Sequence, residues 1–414
     1  VMAYRPITID ALRIGMHVAK LDVAWFRSPF MRHSFLIRTD EQIEKLRRAG
    51  VTHLSIDPAR GLDLQDPAFP SQHPVPLTPQ QAAPSQAGKA PKIRSLAVMT
   101  QELLTARSAR AKLEESVHTA FSRIAKTGIV DPEEASHTVH AISAVAQALN
   151  THALFMVFSQ GREANAPLSQ HALATCSFSM ILAHAAEYNL LAIQELATGA
   201  LLHDIGLLNV PPAILQRVHD TSTTLSEQNR RTYEAHARAG AILLERRGGF
   251  TKAVEQIVAE HHAYLNGSGF PPETGGAYTS DMTRIVMVTD RYDELLTGFG
   301  GASPLTPHQS LQRLYQEGQE GRYESRLISL FVKVMGIYPV YSYVLLTTGE
   351  RAIVSVINSK KLHQPIVTIT HDPSGERYIV PLVIDLGNQD EQAPARGVRS
   401  VLGTIPEEFQ RAYH

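Results

Sequence analysis

Five features along the chain carry side chains that ligate metals: His171, the pair His203-Asp204, His236, the pair His261-His262, and Asp290. One arrives about every 25–33 residues, the length of a helix and its loop. Each can therefore come from a different helix of a bundle and point at one centre, as carboxylate and histidine sites in bundles do. Leu201-Leu202 and Ile205 flank His203-Asp204, so this polar pair ends an apolar segment. Burying an acid beside a histidine is costly unless positive charge pairs with it, and a metal ion supplies that charge. His261-His262 ends an amphipathic segment carrying Val254, Ile257 and Val258, then runs into Asn266-Gly267-Ser268-Gly269-Phe270-Pro271. Such a loop suits tight turns and close approach to a ligand. Asp290 follows Ile285-Val286-Met287-Val288. Taken singly, each histidine reads as a satisfied core residue, and His203-Asp204 as a neutral hydrogen-bonded pair. Taken in order, the five read as one shared metal site. His184 and His219 fit no such pattern and read as structural or exposed.

The elements that must position these residues are mostly helices, and the predicted fold is mainly α. Residues 1–62 read as a small α/β unit. Ile7, Ile9, Leu12 and Ile14 are its apolar positions, and Phe35-Leu36-Ile37 is a short apolar run. A helix over Asp40–Arg48, capped by Thr39 or Asp40 and closed at Gly50, buries Ile43 and Leu46; a strand follows through Val51, Leu54 and Ile56. Residues 63–94 are rich in Pro, Gln and Ala and read as a linker. Residues 95–149 read as connecting helices, one over 95–126 and a second capped by Asp131-Pro132-Glu133-Glu134. The helical domain spans 150–338, with helices over Ser169–Tyr188, Ala192–His203, Ser226–Arg246 and Lys252–His262. Residues 339–386 read as a β appendix of four short strands, 340–346, 352–356, 366–369 and 378–383, and 387–414 as a loose tail.

Composition bounds the class of partner. The 39 Lys and Arg against 40 Asp and Glu give a net charge of −1, which argues against a general DNA or RNA binder. No apolar run of about 18 residues is evident for a membrane span. The start lacks the layout of a signal peptide. A single cysteine, Cys176, excludes an internal disulfide framework. A cytoplasmic protein is expected.

At this point the residues resemble a known family. The ordered set of five features is similar to the HD-GYP subgroup of the HD superfamily. The segment from His261-His262 to Gly267-Ser268-Gly269-Phe270-Pro271 resembles its HHExxDGxGYP signature, and Leu201-Leu202-His203-Asp204-Ile205-Gly206 resembles its LLHDIGK helix end. Gly336-Ile337-Tyr338-Pro339 and the strands after it resemble the region that trails this domain. Residues 1–62 resemble a small domain of unassigned function found ahead of HD-GYP domains. The resemblance implies an all-α bundle that hydrolyses the bacterial messenger cyclic di-GMP to pGpG, or onward to GMP. It implies two divalent metals, iron or manganese, with zinc also compatible by ligand type. One metal would be held by His171, His203, Asp204 and Asp290, the other by Asp204, His236, His261 and His262, with Asp204 bridging. His203 and Asp204 would form the catalytic pair around a hydroxide activated by both metals. Gly267, Ser268, Gly269, Phe270, Pro271 and Asp293 would contact substrate.

The departures fall outside that metal set. The Glu four residues before the first His in trimetal members is Pro167 here, so two metals are expected. The Lys after HDIG is Leu207. In the signature Ala263, Tyr264, Asn266 and Phe270 stand for Glu, Arg, Asp and Tyr. Two basic substrate contacts fall on Phe299 and Ala302. Charge-assisted phosphate bonds are worth about 1.5–3 kcal/mol each, so losing them weakens dinucleotide binding unless Arg284 or Arg291 compensates. Three functions compete. The first is a cyclic di-GMP phosphodiesterase. The second is a catalytically weak relative that docks partners such as GGDEF-domain diguanylate cyclases. The third is a hydrolase of another phosphoester. The helix over 95–126 either dimerises or packs on the bundle.

Overall fold

The computed structural model describes residues 4–21, 35–37, 40–48, 51–58, 94–159, 167–219, 225–272, 279–299, 301, 303–389, 395–406 and 409. The linker expected at 63–94 lies outside them except for Arg94, as do Thr39, Gly50, Ala302 and parts of the expected tail. The chain divides into two compact units, Val1–Ile93 and Arg94–His414.

The first unit is a four-stranded antiparallel sheet with one helix. Its elements are β1 (Arg5–Thr8), β2 (His17–Leu21), β3 (Phe35–Leu36), α1 (Asp40–Arg48) and β4 (His53–Ile56), with sheet order β1-β4-β2-β3. Ile7, Ile9, Leu12, Ile43, Leu46, Leu54 and Ile56 share its core. Ile14 does not: it sits in the turn before β2, 44% exposed.

The second unit is a helical bundle continued by a sheet. Its helices begin with α2 (Leu96–Thr127), α3 (Pro132–Ala148), α4 (Thr151–Ser159), α5 (Leu168–Ala185), α6 (Leu190–Leu202) and α7 (Pro212–His219). They continue with α8 (Glu227–Glu234), α9 (His236–Arg247), α10 (Lys252–Glu260), α11 (Asp281–Thr297), α12 (Pro307–Gln319) and α13 (Ser325–Met335). Local chemistry fixes their ends. Ser95 caps α2 and Gly128 closes it at φ 66°, while Asp131 caps α3 with Pro132 in the first turn. The face of α2 bearing Met99, Leu103, Val117 and Phe121 is buried, and α2 packs on α3, α4 and α5. Behind the site, Phe155 stacks on Tyr292 with centroids 5.6 Å apart and planes at 18°.

Three expectations are corrected. The single helix expected over 226–246 is two, broken at Ala235 directly before His236, because the end of α8 is capped by the His236 ring. One stretch, Leu190–Asn209, is apolar and long enough to cross a membrane by length and composition. It comprises α6 and the short 3-10 turn that follows His203-Asp204, and 67% of its apolar window is buried inside the bundle. The tail also contributes structure. Strands β5 (Ser342–Leu346), β6 (Arg351–Val356), β7 (Ile366–His371) and β8 (Arg377–Asp385) are joined by β9 (Val398–Thr404). The antiparallel order is β8-β7-β6-β5-β9, so β9 pairs with β5, and Phe409 beyond it is buried.

Candidate metal centre

His203 and His261 each stand at the first position beyond a helix, after α6 and α10, and His236 follows the end of α8. The last carbonyls of a helix have no partner within it. Here a ring nitrogen supplies one. Nδ1 of His203 donates to the Ala200 carbonyl at 2.7 Å, that of His236 to Tyr233 at 2.7 Å, and that of His261 to Val258 at 2.9 Å. A carbonyl only accepts, so each Nδ1 holds the hydrogen of the neutral ring and each Nε2 is a bare lone pair. In His171, in the first turn of α5, Nδ1 donates to Asp293 Oδ2 at 2.8 Å, which leaves Nε2 as the atom that either a proton or a cation takes.

The lone pairs meet in two poles. Nε2 of His171 lies 3.1 Å from Nε2 of His203, and Nε2 of His236 lies 3.3 Å from Nε2 of His261. Two acceptors so close repel unless a cation sits between them. Asp204 bridges the poles. Its Oδ1 is 3.0 Å and 3.2 Å from Nε2 of His236 and His261, and its Oδ2 is 3.5 Å and 3.6 Å from Nε2 of His171 and His203. Oδ1 is buried and accepts no hydrogen bond, as expected of an oxygen that faces lone pairs. Asp290 Oδ1 joins the first pole, 3.1 Å and 3.5 Å from the same nitrogens of His171 and His203. The ligand atoms of Asp204, His236, His261 and His262 lie within 4.8 Å of one another, as do those of His171, His203 and Asp204. That spacing suits donors at about 2.0–2.2 Å from a shared ion. Imidazole and carboxylate donors fit a first-row divalent metal.

The electrostatics agree. Burial works against a proton on His171, but Asp290 and Asp293 outweigh it and raise this ring to about 10. Burial would also raise the carboxyls of Asp204 and Asp290, yet the histidines around them hold both well below the usual carboxylate range. Burial pushes His262 well down, so it is neutral and able to ligate. The centre calls for cationic charge at its first pole.

Around the poles the wall is apolar and aromatic. Leu207, Val210 and Phe299 are buried together, with Ile214 and Tyr233 packed against them. Phe299 stacks on the His171 ring with centroids 4.1 Å apart and planes at 11°. Across the centre, Phe270 lies 4.5 Å from the His262 ring. Its loop folds back tightly: a Cβ on Gly269 would stand 1.9 Å from the His262 carbonyl oxygen. Gly267 and Ser268 are exposed, and Asn266 Oδ1 accepts from the Ser268 amide at 3.1 Å and its hydroxyl at 2.7 Å. Gly269, Phe270 and Pro271 are half-buried.

Two expectations change here. Asp293, implied by the resemblance as a substrate contact, is fully buried and accepts from Nδ1 of His171, so what the structure gives it is a part in orienting that ring. Arg291 is engaged by two carboxylates. It donates to both oxygens of Glu317 at 2.8 Å and to Glu294 at 2.8 Å. Arg284 likewise pairs with Glu324 at 3.4 Å. Sequence reasoning missed Glu294, which is buried and whose ligand atom comes within 4.8 Å of those of His262 and Asp290. Its position, one helical turn after Asp290, was the available signal. Burial and the Asp290 charge push Glu294 up to about 7 against the pull of Arg291.

The chain matches known proteins in both units. Residues 162–327 match the HD domain, and residues 4–135 match a domain of unknown function (DUF3391), a match that reaches through α2 into α3. A cyclic di-GMP phosphodiesterase of Pseudomonas aeruginosa is 26% identical over 382 residues, 92% of this chain and 88% of that one. The 3'3'-cGAMP-specific phosphodiesterase 3 of Vibrio cholerae is 38% identical over 100 residues, 24% of this chain and 21% of that one. Among solved structures, an HDG"Y"P protein of Bdellovibrio bacteriovorus aligns with a TM-score of 0.45 at 17% identity, covering 80% of this chain and 98% of that one. Residues 162–327 thus carry an HD domain, with the match to that domain of unknown function on its N-terminal side.

Proposed function

We propose that the protein is a metal-dependent phosphodiesterase that hydrolyses cyclic di-GMP to pGpG or GMP. One observation carries the reading: four histidine lone pairs converge in two poles on the two oxygens of one buried aspartate. His171, His203, Asp204 and Asp290 would hold one divalent ion, iron or manganese, and Asp204, His236, His261 and His262 the other. Bound there, the ions supply a nucleophile from water at neutral pH and stabilise charge on the phosphoryl oxygens. The chain's own part is to present neutral imidazoles in fixed tautomers. The apolar wall of Leu207 and Phe299 keeps water from the first pole, and Phe270 offers a stacking face to a nucleobase. The phosphodiesterases to which the chain is similar support the same reaction class.

A second reading has its own support. Leu207 and Phe299 stand where the resemblance implies basic substrate contacts, and Arg291 and Arg284 are held by acids. A centre without those contacts suits a weak enzyme whose exposed loop at Gly267 and Ser268 docks a GGDEF-domain partner.

The deciding experiment is anaerobic purification, metal quantification, and turnover of cyclic di-GMP beside 3'3'-cGAMP and simple phosphoesters. The control is His203→Ala/Asp204→Ala. Metal in the wild type, with pGpG or GMP that disappears in the control, is the expected result. Metal without turnover of any dinucleotide favours the docking reading. Turnover confined to another phosphoester replaces the substrate, and a protein without metal overturns the assignment.

A further inference from the structure

Leu207 and Phe299 stand where the resemblance implies basic substrate contacts, and they are buried side by side with Val210. Neither side chain can bond a phosphate oxygen. Tyr233, on the last turn of α8, packs its ring against this same patch. Every other member of the patch is aliphatic or phenyl, so among the described residues the Tyr233 hydroxyl is its one polar side-chain atom. Tyr233 is half-buried, so the patch is not sealed over it.

The residue is fixed to the second pole by both its backbone and its ring. Its carbonyl accepts from Nδ1 of His236 at 2.7 Å, and its ring lies 5.2 Å from the His236 ring with planes at 51°. Phe270 meets the same imidazole at 5.7 Å and 79°. Among the described residues no group bonds the Tyr233 hydroxyl. Burial and the charges of Asp204, Glu294 and Asp290 push this phenol well above its ordinary value of 10. The hydroxyl thus lies in the field of the acids that line the centre and holds its proton. A phosphodiester drawn to ions at the poles brings an anionic acceptor to a donor with no other partner.

We propose that the Tyr233 hydroxyl donates a hydrogen bond to a non-bridging phosphoryl oxygen of the substrate, taking the place of the basic contacts that this chain lacks at Leu207 and Phe299. Tyr233 is then a substrate contact that is neutral rather than cationic. Packing holds the donor in position, and it adds no charge to the wall, so substrate binding depends less on ionic strength than cationic contacts would make it. The proposal rests on the phosphodiesterase reading above, and its test separates the two.

The full metal-loaded chain is assayed with cyclic di-GMP and with its RpRp and SpSp phosphorothioates, in which sulfur, a weak acceptor, replaces one or the other non-bridging oxygen. Tyr233→Phe removes the hydroxyl and keeps the ring on the wall, so metal content and melting temperature should match the wild type. A hydrogen bond to a charged oxygen is worth roughly 10–100-fold, and kcat/KM for cyclic di-GMP should fall by about that factor. The wild type should favour oxygen over sulfur more strongly in one diastereomer, and Tyr233→Phe should lose that extra preference, because it has no bond left to weaken. An unchanged kcat/KM, a fall with the sulfur preference intact, or a fall accompanied by loss of metal overturns the contact and leaves the phosphodiesterase standing. A wild type that does not turn over cyclic di-GMP overturns the phosphodiesterase reading, and the contact falls with it.

Discussion

The ring of Phe299 lies flat on the imidazole of His171, 4.1 Å between centroids and 11° between planes. An imidazole bound to a cation is electron-poor, and the face of a phenyl ring is electron-rich, so the stack favours the metal-loaded state. Phe299→Leu keeps most of the buried apolar volume and removes that face. We expect a small change in thermal stability and a 10-fold or so loss of metal affinity confined to one ion, with Phe299→Tyr restoring it. Stepwise chelation followed by metal counting checks this. A uniform loss of all ions would assign Phe299 to packing alone.

Asp293 acts on the same ring from its edge. Its Oδ2 accepts from His171 Nδ1 at 2.8 Å, which sets the tautomer and aims Nε2 at the centre. Asp293→Ala removes the acceptor and frees the ring to flip. Outer partners of this kind are worth about 10–100-fold in metal affinity. The variant is expected to bind metal that much more weakly in equilibrium dialysis against a competing chelator. Asp293→Asn, which keeps a side-chain oxygen, should lose less.

Acid should empty the centre. Metal binding needs the Nε2 lone pairs of His171, His203, His236 and His261, and protons compete for the same positions. Affinity therefore falls as pH falls, starting below about 10 at His171, which its carboxylate neighbours raise, and continuing to lower pH at His261, which burial holds down. Ligand binding raises native stability by mass action, so the gap in melting temperature between loaded and stripped protein should close as pH falls through the same span. A gap that persists unchanged to pH 4 would mean that carboxylates alone hold the ions.

Much of this centre was legible in the sequence. The spacing of His171, His203-Asp204, His236, His261-His262 and Asp290 survives in the structure because each rides on a different helix, most at its end and Asp290 in the middle of α11. The helices themselves follow from caps such as Ser95 and Asp131, which are local signals. What escaped was tertiary. The break at Ala235 depends on a ring nitrogen of His236 capping α8, which no periodicity reveals. Asp293 and Glu294 are neighbours on α11, yet one turns to His171 and the other to His262, a choice made by the packing of α5 and α10 against that helix. Strand β9 was obscured because Gly403 and the polar run before it weaken the strand pattern, and pairing with β5 decides the matter.

The sheet has its own pH signature. Arg396 donates to both oxygens of Glu350, at 2.8 Å and 3.0 Å, and with Thr348 holds that carboxyl below its ordinary value of 4.5. A depressed native value means that the pair stabilises fully above the ordinary value and less as pH falls beneath it. Arg396→Gln should cost about 1 kcal/mol at pH 7 in denaturant unfolding. The difference from wild type should shrink as pH drops below about 4.

Gly206 shows how closely the fold and the centre are joined. It follows His203-Asp204, and a Cβ there would stand 2.0 Å from the carbonyl oxygen of His236 and 2.8 Å from the amide nitrogen of Gly240. Both neighbours are backbone, so neither can swing aside as a side chain would. Gly206→Ala must therefore push α9 away from the turn that carries Asp204, and His236 moves with α9. Overpacking of this kind costs about 1–3 kcal/mol, enough to lower the melting temperature and still leave a folded protein. The displacement should separate His236 from Asp204 and so weaken the second pole, while His171 and His203, on α5 and at the end of α6, stay in register. We expect the variant to lose one ion and keep the ion at the first pole, read by metal counting together with thermal melting. Retention of a full complement of metal would show that the contact between Gly206 and α9 is not what sets the spacing of the two poles.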